Sequence, residues 1–66
     1  IEDGEALARA VASLPGKYRE VLFLKYSHGY SVDEIALILS MSKENVKKTI
    51  QRARKKLEQL LESEEV

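Results

Sequence analysis

Between Lys43 and Lys56 stand Lys43, Lys47, Lys48, Arg52, Arg54, Lys55 and Lys56, seven of the eleven Lys and Arg residues of the chain. A single acid, Glu44, is interleaved, so i, i+4 pairing of opposite charges does not account for the block. Cations at this density neutralise phosphates and displace the counterions condensed on them. Asn45 and Gln51 lie among them, and Asn, Gln and Arg side chains have the geometry to read base edges in a DNA groove. A solvated helix face is the plain alternative, because most Lys-rich helices have one. Acids cluster elsewhere, at Glu2, Asp3 and Glu5 and at Glu58, Glu62, Glu64 and Glu65, and bring the net charge to zero. The local field, rather than the sum, governs encounter with a charged partner.

The rest of the chain carries little chemistry. There is no Cys and one His, so neither a disulfide nor a zinc site is expected. No nucleophile–base pair or Gly-rich phosphate loop is present, which speaks against an enzyme, a cofactor or a small-molecule substrate. No apolar run approaches the roughly 20 residues of a membrane span, and the first residues do not show a signal-peptide pattern. Lack of Cys fits a reducing compartment. Residues 1–66 make one small domain, and the initial Ile1 suggests that it is cut from a longer protein.

The composition predicts helices throughout: Ala, Leu, Glu, Lys and Arg dominate, and no stretch alternates like a strand. Asp3 can cap a first helix whose buried face is Leu7, Ala10, Val11 and Leu14. Pro15 ends it and can open a second helix at its first position. Tyr18, Val21, Leu22 and Lys25 share one side of that second helix. Phe23, Leu24 and Tyr26 widen its apolar surface, which predicts a central helix packed on more than one side. Phe23 and Leu24 read as core or, if exposed, as a docking surface. Tyr18 and Tyr26 read as packing residues with exposed hydroxyls. His28–Gly29 ends the helix, with Gly29 as a left-handed cap and His28 favoured at a helix C-terminus. Ser31 and Glu34 form a capping box that opens a short third helix, with Val32, Ile35, Ala36, Ile38 and Leu39 as its apolar residues. Tyr30, beside Ser31, could contact a phosphate there. Ser42 can cap a long fourth helix striped by Val46, Ile50, Ala53, Leu57, Leu60 and Leu61. Its tail should fray from about Ser63.

Two helices that cross steeply over a short turn need a small residue where their backbones approach. Ala36 supplies it. Ile35, Leu39, Met41, Val46 and Ile50 supply the apolar contacts that fix the crossing. The fold class is therefore all-α, four helices, with a helix-turn-helix at about residues 31–57 whose second helix would enter the DNA major groove. At about 100° per residue, a fourth helix with Val46 inward turns Glu44, Lys48, Gln51 and Lys55 outward, flanked by Lys47 and Arg52. The charge sits on the face the core leaves free.

The run Leu14-Pro15, Tyr18-Arg19-Glu20-Val21-Leu22, Leu24, Tyr26, Gly29, Ser31 and Glu34-Ile35-Ala36 resembles the C-terminal domain, region 4, of bacterial sigma factors, the extracytoplasmic-function type above all. Val46-Lys47 and Arg52-Ala53-Arg54-Lys55-Lys56-Leu57 continue the match, over roughly residues 12–60. The resemblance implies sequence-specific binding of double-stranded promoter DNA at the −35 element. It implies docking on the β-subunit flap of RNA polymerase core, with an anti-sigma protein as a further partner and the bacterial cytoplasm as the setting. By position it puts base and phosphate contacts on Lys47, Lys48, Gln51 and Arg52. Lys43, Asn45, Lys55 and Ser31 complete the expected DNA-binding set. The chain departs from the family pattern at Ser40, where Gly is usual, at Lys48-Thr49, often Ser-Arg, and at Lys43-Glu44-Asn45. If Ser40 must adopt positive φ, strain of about 1 kcal/mol follows. The nearest rival is the output domain of LuxR-like response regulators, which shares the Glu-Ile-Ala and Val-Lys elements. A helical protein-interaction domain, with the basic face on an acidic protein, is a rival of another class.

Overall fold

The computed structural model describes residues 4–64. Asp3, expected to cap the first helix, lies outside them. Four helices follow one another: α1 Gly4–Ala12, α2 Gly16–Leu22, α3 Val32–Leu39 and α4 Lys43–Glu64. A π-helical turn, Phe23–Ser27, extends α2. The described residues contain no strand.

Each helix boundary has a local cause. Pro15 takes an extended ψ of 145° and stands at the N-cap of α2 rather than at its first helical position. Its carbonyl still accepts the first helical bond, from the Arg19 N–H at 3.0 Å. The Arg19 guanidinium reaches back and donates to the Ala12 carbonyl at 3.1 Å, which closes the end of α1. Ser31 and Glu34 make the expected capping box: the Glu34 N–H donates to Ser31 Oγ, and the Ser31 N–H to Glu34 Oε1. Ser42 caps α4 by accepting from the Asn45 N–H at 3.1 Å. The helix then runs through Glu64, past the fraying point expected near Ser63, whose hydroxyl bonds the Gln59 carbonyl inside the last turn.

Ser40 adopts φ 54°, ψ 46°, the left-handed conformation that the departure from Gly raised. The Met41 N–H closes on the Ala36 carbonyl at 2.9 Å and the Ser40 N–H on the Leu37 carbonyl at 3.4 Å, a Schellman pattern with Ser at the position that favours Gly. Gly29, at φ 74°, ends the π turn in a related way. There the Tyr30 N–H reaches the Leu24 carbonyl, one residue further back than a Schellman closure, because the preceding turn is wide.

Two apolar clusters hold the helices. Val21, Ile35, Ala36, Val46 and Ile50 are buried together, with Leu24, Tyr30, Val32, Leu39 and Met41 packed against them. This cluster joins α2, α3 and α4 and fixes the helix-turn-helix crossing. Full burial of Ile35, Val21 and Val46 contributes about 1.5–3 kcal/mol each relative to exposure. Leu14, Leu22 and Ala53 form the second cluster, flanked by Tyr18, Leu57 and Leu60. It ties the α1–α2 corner to the middle of α4.

Several expected core positions are not core. Leu7 is 40% exposed, while Ala10 and Leu14 of the same predicted face are buried. Phe23 and Tyr26 are 55% and 59% exposed. The helix reaches both clusters, through Val21 and Leu24 on one side and Tyr18 and Leu22 on the other, and at about 100° per residue Phe23 falls opposite the buried pair Val21–Leu22. Ile38 is also exposed, beside Leu37, which at 82% faces solvent almost fully.

Candidate nucleic-acid interface

On α4 the inward stripe consists of Val46, Ile50 and Ala53, all buried, then Leu57, Leu60 and Leu61, half-buried. Lys47, Lys48, Gln51, Arg52 and Lys55 are exposed, as are Lys43, Asn45 and Ser31. The helix of 22 residues spans about 33 Å, and the cations occupy its first 14 residues, about 21 Å, before the acidic end with Glu58 and Glu62. Its first half is set by the Schellman turn and the Ile35–Val46–Ile50 contact. Its second half is set by Ala53 against Leu14 and Leu22. Thr49 is buried, so of the pair Lys48–Thr49 only Lys48 faces solvent.

The expected set is not uniform. Lys43 Nζ lies 3.3 Å from Asp33 Oδ1 on α3. The Ser31 hydroxyl oxygen is occupied by the Glu34 N–H, and the Glu34 carboxylate sits on the Ser31 N–H. Only the hydroxyl proton of Ser31 remains to donate to a phosphate. Tyr30 is half-buried on the first cluster and stacks on His28, ring centroids 5.7 Å apart and planes 13° off parallel. His28 in turn meets the edge of Phe23 at 4.7 Å. The Tyr30 ring is thus held by packing.

Arg54 belongs to the basic block by sequence but not by direction. It lines a groove of about 500 Å³ between α1, the π turn and the second half of α4. Leu7, Val11, Leu22, Phe23, Tyr26 and Leu57 make the groove's apolar walls, and Arg19, Arg54 and Glu58 are its charged members. None of the DNA-binding candidates lines it. The signal was present in the helix period: Arg54 falls about 80° from Val46, on the flank of Leu57 and Leu61 rather than opposite the core.

A family model for sigma-70, region 4, matches residues 4–57, which takes in α1, α2, α3 and most of α4. Comparison with curated proteins and with solved structures gives no match. The all-α fold and its helix-turn-helix accord with that family, a non-enzymatic DNA-binding one, and nothing favours the response-regulator alternative. The chain belongs to the sigma-70 region 4 family, and its function is to bind promoter DNA at the −35 element and to dock on RNA polymerase in transcription initiation.

Proposed function

We propose that the outward face of α4 is the promoter-reading surface of a region 4 of the extracytoplasmic-function type. Lys48 and Gln51 stand about one and a half and two turns into the recognition helix, on its outward face, where side chains reach base edges. Gln51 can pair bidentately with adenine, and Lys48 can reach the acceptors of guanine. Lys47, Arg52, Asn45 and Lys55 flank them and contact phosphates, which fix register without reading sequence. Ser31 donates its hydroxyl proton to a phosphate at the start of α3. The observation that carries this reading is that Val46, Ile50 and Ala53 of α4 are buried while Lys47, Lys48, Gln51, Arg52 and Lys55 are exposed.

The groove between α1, the π turn and α4 is the polymerase-docking surface, with the β-subunit flap as its occupant. Exposed Phe23 and Tyr26 over Leu7, Val11 and Leu57 suit an apolar partner. Because the groove uses none of the DNA-facing side chains, promoter and polymerase can be engaged together. An anti-sigma protein would compete for the same walls. In this reading the domain works in the bacterial cytoplasm.

The test of the base-reading assignment is selection from a random promoter library by the parent factor on polymerase, with and without Gln51→Ala. Loss of preference at one base position supports it. Unchanged preference sinks it.

A further inference from the structure

Lys43 is the first residue of α4 and Asp33 the second of α3, and their side chains meet at 3.3 Å across the helix-turn-helix. A cation in the first turn of a helix opposes the helix dipole, so Lys43 gains from a carboxylate within reach. Glu44, its neighbour in sequence, is one position along the helix and does not face it. Glu34 is committed to the Ser31 N–H. Asp33 is therefore the acid placed to hold Lys43, and both side chains are otherwise open, at 64% and 66% exposure.

We infer that Asp33 holds Lys43 back from the phosphate backbone and thereby lowers the affinity of the domain for DNA. The inference rests on the reading of α4 as the DNA-facing helix. A phosphate that drew Lys43 away would leave the Asp33 carboxylate unpaired beside it, and the repulsion restored would offset the attraction gained. Lys43 and Asp33 thus act as a neutral pair where the basic block, read from sequence, shows a free cation. The electrostatic footprint on α4 then consists of Lys47, Lys48, Arg52 and Lys55. Asp33 becomes a residue that limits binding from outside the recognition helix.

The experiment is a salt titration of binding to a short mixed-sequence duplex, which reports the sequence-independent backbone contribution. Asp33→Asn frees Lys43 to act as one more phosphate-neutralising cation. It should bind about three- to sixfold tighter at near-physiological salt, with log K falling more steeply against log salt by about 0.9. Lys43→Gln should weaken binding, because it exposes Asp33 to the backbone. The double variant should return close to the parent. Unchanged or weaker binding by Asp33→Asn overturns the inference. Thermal melts check that each variant is folded, and Asp33→Ser, which keeps a residue suited to a helix start, serves as a second neutralising variant. Arg52→Ala tests the DNA-facing role of α4 separately from the Lys43–Asp33 pair. If Arg52→Ala weakens binding while neither neutralised Asp33 variant strengthens it, the inference fails and the DNA-facing reading of α4 stands. If Arg52→Ala changes nothing, that reading fails and the inference falls with it.

Discussion

Replacing Ser40 by Gly should stabilise the domain. Ser40 sits at φ 54°, ψ 46°, a conformation in which its Cβ crowds the following carbonyl. That crowding costs an L-residue roughly 1–2 kcal/mol, and Gly removes it. Against this, Gly gives the unfolded chain more freedom, worth about 0.4–1 kcal/mol. Ser40 is exposed, so little packing is lost with its side chain. The net expectation is a gain of about 0.5–1 kcal/mol. For a domain of this size that corresponds to a rise in Tm of about 2–8 °C, read by thermal melting at fixed concentration. Ser40→Ala keeps the Cβ and should change stability little, whereas Ser40→Val, with a branched Cβ in the same conformation, should lower it. DNA affinity should be the same for Ser40→Gly as for the parent, because the turn geometry is already the one Gly prefers. A Tm that is unchanged or lowered by Ser40→Gly would show that the turn is not strained as its backbone angles imply.

Four further outcomes follow from the same structure. Ile35→Ala, at the fully buried centre of the helix-turn-helix contact, should cost about 2–5 kcal/mol in denaturant unfolding. Ser31→Ala removes the acceptor of the capping box and should cost about 0.5–2 kcal/mol in the same measurement. Four cations on α4 should give the parent domain a salt slope of about −4 in duplex binding; a flat dependence would point to an apolar protein partner instead. Phe23→Asp places a carboxylate in the apolar groove and should abolish docking of the parent factor on polymerase while leaving duplex binding by the isolated domain within about twofold, as none of the DNA-facing side chains lines that groove.

What could be read from the chain depended on how local its cause was. The capping box at Ser31–Glu34, the Ser42 cap and the Val46–Ile50–Ala53 stripe rest on spacings of three or four residues, and all stand in the structure. The left-handed Ser40 was legible because the surrounding pattern calls for Gly there. The π turn was not, since the residues Phe23, Leu24 and Tyr26 suit a continued α-helix as well as a wide turn. Leu7 and Ile38 sit at the right period for burial, but their exposure depends on which helix lies opposite, and that is a tertiary fact. The same holds for the site. The outward cations of α4 follow from helix geometry alone. The pairing of Lys43 with Asp33 needs the turn to bring two helices together, and the groove around Arg54 needs α1 and the π turn to face α4.

Lys48 and Gln51, in the proposed role, read promoter bases from the exposed face of α4. The most direct measurement is the base preference selected from a randomised −35 element by the parent factor on polymerase, compared between the parent sequence and Gln51→Ala, with Lys55→Ala as control. Gln51→Ala should relax preference at one base position by about 1–3 kcal/mol and leave the others in place, while Lys55→Ala should weaken all sequences alike. An identical preference profile for the parent and Gln51→Ala would contradict that role.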